Sequence, residues 1–235
     1  MVYRRDYRRA FSRQKVGFFQ RISLNSLFIT INILVFFAFQ LASLFVDLQQ
    51  LIDFFALNPS LFFMGYIWTL LTSMFLHVLA SHLFVNMISM FFIGSFVERL
   101  IGRRRFLWFY LVSGITAGLF FVVFAYLGQF IPNGEAIFGG FNVPAVGASG
   151  ALFGLGGLLA VLIPKLRVLV FFIIPMPMWL AMAVLMFGVW ILSAFKGWPI
   201  GNTAHFGGLV VGVIYGFYLR QRYSRKVRLL NRMFM

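Results

Sequence analysis

The strongest constraint on this chain is a recurrence of apolar stretches, each about as long as a membrane-spanning helix. Roughly Leu24 to Val46, Ser81 to Val97, Phe106 to Leu127, Val146 to Ile163, Val168 to Ser193 and Thr203 to Leu219 carry almost no charge. Crossing ~30 Å of hydrocarbon takes about 20 helical residues, and a tilted or shielded helix manages with ~17. Of the 235 residues, 62% are hydrophobic and 11% charged, against about 25% charged in an ordinary soluble domain. The expectation is an all-α membrane protein with six transmembrane helices in one domain over 24–219, between basic tails at 1–23 and 220–235. Pro175 and Pro177 fall inside the fifth stretch and predict a kink or local irregularity, because proline removes a backbone donor.

The net charge of +15 would suggest a nucleic-acid partner in a soluble protein. Here the cations punctuate the apolar runs instead of forming one patch, which argues against nucleic acid. All of the Lys and Arg except Lys196 fall in the tails or in the links after the second and fourth stretches. The opposite side keeps Asp47, Asp53 and Glu135, so the positive-inside rule predicts that both termini are cytoplasmic. The first apolar run exceeds a signal-peptide core and is read as a retained span. The lack of a transit-like leader and the compact basic tails point to a prokaryotic plasma membrane. With no cysteine, disulfides, thiolate metal sites and cysteine nucleophiles are excluded.

The connection from Asp47 to Ala80 is unusually apolar, with Phe54, Phe55, Phe62, Phe63 and Trp68. Its Asn58-Pro59 pair argues against one continuous helix. Such a loop is expected to lie partly in the outer leaflet.

Polar side chains inside spans are costly unless they have a partner or a wet cavity. Those singled out are His82 and Asn86 in the second stretch, Ser149 in the fourth, and His205 beside Asn202 and Thr203 in the sixth. These three stretches run in the same direction, so the polar residues share one depth. His82 and Asn86, four apart, share a helix face. Gly150 and Gly154, and Ala204, Gly208 and Gly212, form small-xxx-small stripes that permit close backbone approach. Ser149 directly precedes Gly150 and His205 directly follows Ala204, so a serine and an imidazole could meet as nucleophile and base. Phe153, one turn after Ser149, is placed to stack on His205. A lone serine in such a helix usually bonds its own i−4 carbonyl, and small-residue stripes usually serve packing alone. The joint occurrence of Ser, His, His and Asn at one depth outweighs those readings.

No carboxylate is available as a third member, so a hydrolase here works with a dyad. The absence of His-Glu-x-x-His and of paired intramembrane aspartates excludes those chemistries. His77, His82 and His205 form a poor ligand set, and neither metal nor cofactor is expected.

These motifs resemble the rhomboid family of intramembrane serine proteases. Gly147-Ala148-Ser149-Gly150 with Gly154 is similar to its Gly-x-Ser-Gly-x-x-x-Gly motif. Ala204-His205-Phe206-Gly207-Gly208 with Gly212 is similar to its Ala-His-x-x-Gly-x-x-x-Gly motif. His77 with His82 to Met87 resembles the histidine-rich start of the second helix, and Glu98 with Gly102 the Glu-x-x-x-Gly at its far end. The resemblance implies a six-helix rhomboid-like bundle in which Ser149 is the nucleophile and His205 the general base and then acid. It implies an oxyanion hole of the Ser149 N–H with the side chains of His82 and Asn86, and supporting roles for His77 and Glu98. One departure is Thr69 after Trp68, where the family often has an arginine that stabilises the loop.

The expected activity is hydrolysis of a peptide bond in, or next to, a transmembrane segment of a membrane-protein substrate near the outer face. Water would reach Ser149 through a cavity capped around Lys196-Gly197-Trp198-Pro199, and the family suggests that substrates pass between the second and fifth helices. The alternatives are a catalytically inactive rhomboid-like protein that binds membrane clients, and a polar-solute transporter. The transporter would call for repeat symmetry and charged or broken spans, and the sequence shows neither.

Overall fold

The computed structural model describes residues 23–171, 173–196 and 201–234. The expected basic tail up to residue 22 and the cap at 197–199 lie outside them.

Helix α1 (Leu24–Ala42) begins where the Ser23 hydroxyl accepts a bond from the Ser26 N–H. Its remaining free N–H groups meet an acid from far along the chain: Leu24 and Asn25 donate to the Glu98 carboxylate at 2.9 and 3.0 Å, and the Ser23 hydroxyl donates at 2.5 Å. A carboxylate there satisfies orphan donors and complements the helix dipole.

The apolar connection that follows is folded into three short helices, α2 (Leu48–Phe55), α3 (Pro59–Phe63) and α4 (Thr69–Thr72). Asp47 caps α2, and Asn58 caps α3 with Pro59 in its first turn, where proline's missing N–H costs nothing. The Trp68 indole donates to the Phe54 carbonyl at 2.8 Å and the Thr72 hydroxyl to that of Phe55 at 2.7 Å. These bonds hold the loop; Thr69 itself is buried, donating to the Tyr66 carbonyl.

The rest of the chain forms α5 (Ala80–Ile101), α6 (Arg103–Gly128), α7 (Gly134–Phe138), α8 (Ser149–Leu162), β1 (Arg167–Val170), β2 (Ile174–Pro177), α9 (Met178–Lys196), α10 (Asn202–Arg222) and α11 (Ser224–Arg232). Of these and α1, four are long and apolar enough to cross a membrane: α1, α5, α6 and α9. Phe37, Phe92, Trp108 and Ile214 project outward from the bundle, as expected of surface that faces lipid rather than water.

Helix α8 starts three residues later than expected, because Gly147 has a φ of 113° that a continuing helix cannot contain. Its 14 residues rise only about 21 Å. It is packed between α6, α9 and α10, with Leu155, Leu158 and Leu159 fully buried, so its backbone is shielded by protein rather than matched to lipid.

The apolar run expected as one helix from Val168 to Ser193 divides in two. Its first part is an antiparallel hairpin pairing Val168 with Met176 and Leu169 with Pro175. Pro175 and Pro177 cannot donate within a helix, and proline is tolerated in a two-stranded ribbon whose outer edge needs no donor. Helix α9 takes up the run from Met178.

Two helices contain a π turn, α5 at Met90–Gly94 and α9 at Val184–Gly188. At the first, Asn25 of α1 donates to the Met90 carbonyl at 2.9 Å and to the Ser95 hydroxyl at 3.0 Å. The segment from residue 220, expected as a tail, is helical to Arg222 and again over Ser224–Arg232.

Candidate active site

Ser149 is the first residue of α8, and the strand leading to it is clamped twice. Leu57 and Ala145 exchange backbone bonds of 3.0 and 2.9 Å, and the Gly147 N–H donates to the Ser73 carbonyl at 2.8 Å. The apolar connection therefore fixes where α8 begins. At such a start the first N–H groups have no carbonyl a turn behind them and point toward any developing anion.

Helices α8 and α10 run parallel, backbone against backbone. A Cβ on Gly208 would land on the Gly150 carbonyl, one on Gly212 on the Gly154 carbonyl, and one on Gly150 would lie 2.6 Å from Cβ of Ala117 on α6. Gly154 faces α6 as well, where Ser113 Oγ would be 2.5 Å from an added Cβ. Only glycine permits this approach, and it brings His205 Nε2 to 2.8 Å from Ser149 Oγ. With a neutral imidazole the serine hydroxyl donates to Nε2. Phe153 lies flat on the His205 ring, centroids 4.3 Å apart and planes 13° from parallel. Stacking thus orients the imidazole in a site to which no described carboxylate bonds.

His82 and Asn86 line the same cavity as Ser149 and His205. Asn86 is buried; its amide donates one N–H to the His82 carbonyl at 2.9 Å, which leaves the second for another acceptor. The His82 ring rests against Gly147, where an added Cβ would be 2.7 Å from Cε1 and 2.9 Å from Nε2. It also meets the His77 ring edge-on, centroids 5.0 Å apart. His77 is fully buried, and neither of its nitrogens has a bond of standard geometry. Burial lowers its pKa to about 4, charge on His82 adds to that shift, and a weak interaction with the Phe75 backbone opposes it. His77 therefore stays neutral at ordinary pH.

The cavity has a volume of about 1040 Å³ and runs from the Ser149–His205 pair between α5 and α9 toward the hairpin, past Val85 and Ile93 on one wall and Met182 and Leu185 on the other. Among the described residues no group of His, Asp or Glu side chains could hold a metal.

Seven of the residues named from sequence meet here: Ser149, His205, His82, Asn86 and Phe153 at the cavity, with Gly150 and Gly208 beneath the pair. Gly154 and Gly212 continue the contact one turn on. His77 backs His82 without reaching the cavity. Glu98 lies apart, capping α1. Sequence reading passed over Asn25 and Asn32, both fully buried on α1, although an asparagine in an apolar helix is itself a signal. It also passed over the Leu57–Ala145 and Ser73–Gly147 clamps, made by backbone atoms.

Residues 64–222 match the Rhomboid domain family. The chain is 33% identical over 187 residues to Rhomboid protease GluP of Bacillus subtilis (strain 168), an alignment covering 79% of this chain and 32% of that protein. It is 30% identical over 160 residues to Rhomboid protein 1, mitochondrial, of Saccharomyces cerevisiae, covering 67% and 43%. A shorter alignment, 35% over 91 residues, joins it to Inactive RHOMBOID-like protein 8 of Arabidopsis thaliana, covering 39% and 22%. The chain therefore spans less than half the length of each of these relatives. The matched segment contains α5 through α10 whole, and with them Ser149, His205, His82, Asn86 and Phe153; the chain belongs to the rhomboid family.

Proposed function

We propose that this protein is an intramembrane serine endopeptidase that cleaves transmembrane segments of membrane-protein substrates with a Ser149–His205 dyad. The observation that carries the reading is the 2.8 Å contact between Ser149 Oγ and His205 Nε2, held by a glycine-lined helix pair. As Oγ attacks the substrate carbonyl, the serine proton passes to Nε2. The negative charge moves to the carbonyl oxygen, where the Ser149 N–H, the second Asn86 N–H and the His82 ring stabilise it. Donors fixed in a dry site are worth far more there than in water. The imidazolium then gives its proton to the leaving amine, and water, activated by the same imidazole, hydrolyses the acyl-enzyme. Substrates reach Ser149 between α5 and α9, whose side chains wall the cavity. Six helices cross the membrane, α8 and α10 completing the four that are long and apolar enough, with both termini cytoplasmic in a prokaryotic plasma membrane.

The test is cleavage of a transmembrane model substrate by purified protein in liposomes. Wild type is expected to cleave, and Ser149→Ala and His205→Ala each to lose about 10³-fold or more. Cleavage that survives Ser149→Ala would overturn the assignment. Folded wild type that cleaves none of several substrates would favour the client-binding alternative, a possibility kept open by the relative named as inactive.

A further inference from the structure

Helix α5 presents more polar atoms to the cavity than the proposed chemistry uses. At 100° per residue, His82, Asn86 and Ser89 fall within about 60° of one another around the helix, and all three line the cavity. Ser89 lies about 4.5 Å further along the helix than Asn86 and about 10 Å further than His82. Its neighbours on that wall are Val85 and Ile93, with Met182 and Leu185 on the other.

A polar side chain inside an apolar helix normally bonds a carbonyl about one turn back. Thr30 donates in this way to the Ser26 carbonyl at 3.0 Å, Asn32 to that of Phe28 at 2.8 Å and Ser193 to that of Trp190 at 2.9 Å. Among the described residues nothing bonds the Ser89 hydroxyl. Ser113 on α6 is also unbonded, but its oxygen is sealed in the core, whereas Ser89 is half-buried on the cavity wall. The Ser89 hydroxyl therefore offers one donor and two acceptor sites to whatever occupies the cavity.

On the proteolytic reading above, the occupant is a transmembrane helix opened at its scissile bond. The part of that helix left intact on the membrane-buried side ends in backbone groups that have lost their partners, N–H groups or C=O groups according to the polarity of the segment. Such groups are costly in an apolar cavity unless something bonds them. A hydroxyl accepts from the one kind and donates to the other, and serine is among the residues that cap helices within a single chain. We propose that Ser89 caps the substrate, its hydroxyl binding an orphaned backbone group at the end of the intact helix. It supplies the capping group that a wholly apolar transmembrane segment lacks.

The test uses two transmembrane substrates that wild type cleaves in liposomes. One carries only Ala and Leu in the turn on the membrane-buried side of the scissile bond, and the other carries Ser or Asn there as a cap of its own. Ser89→Ala is expected to lower kcat/KM about fivefold on the first, the scale of one hydrogen bond, and to leave the second nearly unchanged. Equal loss on both substrates would give Ser89 a packing role alone, and no loss on either would give it none; each result would overturn the proposal. Because the chain lacks cysteine, Ser89→Cys in the Ser149→Ala background gives a single thiol whose position is read without cleavage. It is expected to form a disulfide with a substrate cysteine in that same turn and not with one on the outer side of the scissile bond; the reverse pattern would also overturn the proposal. Both substrates are ones that wild type cleaves, so failure here leaves the dyad standing, and failure of the dyad is read from Ser149→Ala alone.

Discussion

Adding one methyl group at Gly147 tests how the oxyanion donors are held. The backbone there has a φ of 113°, which costs an L-residue about 1–2 kcal/mol, and the new Cβ would press on the His82 ring. Gly147→Ala is expected to lower kcat by about 10²-fold, the usual scale for a lost oxyanion donor, while the thermal midpoint falls by only a few degrees. A kcat near wild type would show that His82 contributes nothing to turnover. His77, behind His82, sets a pH limit. Its folded pKa of about 4 lies below the 6.5 of a free imidazole, so the unfolded chain binds the extra proton between those values. The stabilisation is complete above pH 6.5 and is lost as pH falls toward 4. Thermal melts at pH 7 and 4.5 are expected to show a smaller acid-induced drop in His77→Gln than in wild type; equal drops would place the sensitivity elsewhere.

At the scale of elements, the α8–α10 contact decides whether the dyad exists. Gly208→Leu would drive a side chain into the Gly150 carbonyl, and overpacking costs about 1–3 kcal/mol even where neighbours can shift. Cleavage is expected to fall to the level of Ser149→Ala while helix content measured by circular dichroism persists; unchanged cleavage would mean that the pair does not need close helices. This contact was legible in the sequence because glycine spacing and helix period are both local. The hairpin was not, since an apolar run of Val, Leu, Phe and Ile reads alike as buried strand or helix, and only Pro175 and Pro177 hinted at the difference. Glu98 shows another limit. Its partners Ser23, Leu24 and Asn25 lie more than seventy residues away, and no local pattern announces a cap delivered from another helix. The Asn25 bond to Met90 depends in turn on a carbonyl exposed by a π turn that propensity does not foretell.

For the molecule as a whole, the topology proposed above places α11 and the α2 region on opposite faces of the membrane. Cysteines placed at Gln50 and at Ser224, both exposed, give a direct reading. In intact cells a membrane-impermeant maleimide is expected to label the first at once and the second only after permeabilisation; the reverse order would invert the topology.

The two π turns are held differently. Asn25 is bonded into the turn of α5, whereas among the described residues no side chain of a neighbouring helix is bonded into that of α9. Helix α9 is tied instead away from its π turn, where Trp190 donates to the Ile137 carbonyl and Ser193 accepts from Asn202. His82 and Asn86 ride on α5, and α9 carries none of the residues assigned to chemistry. On the entry route proposed above, a displacement of α9 leaves the reacting groups in register, so admitting a bulky chain and keeping the site aligned fall to different helices.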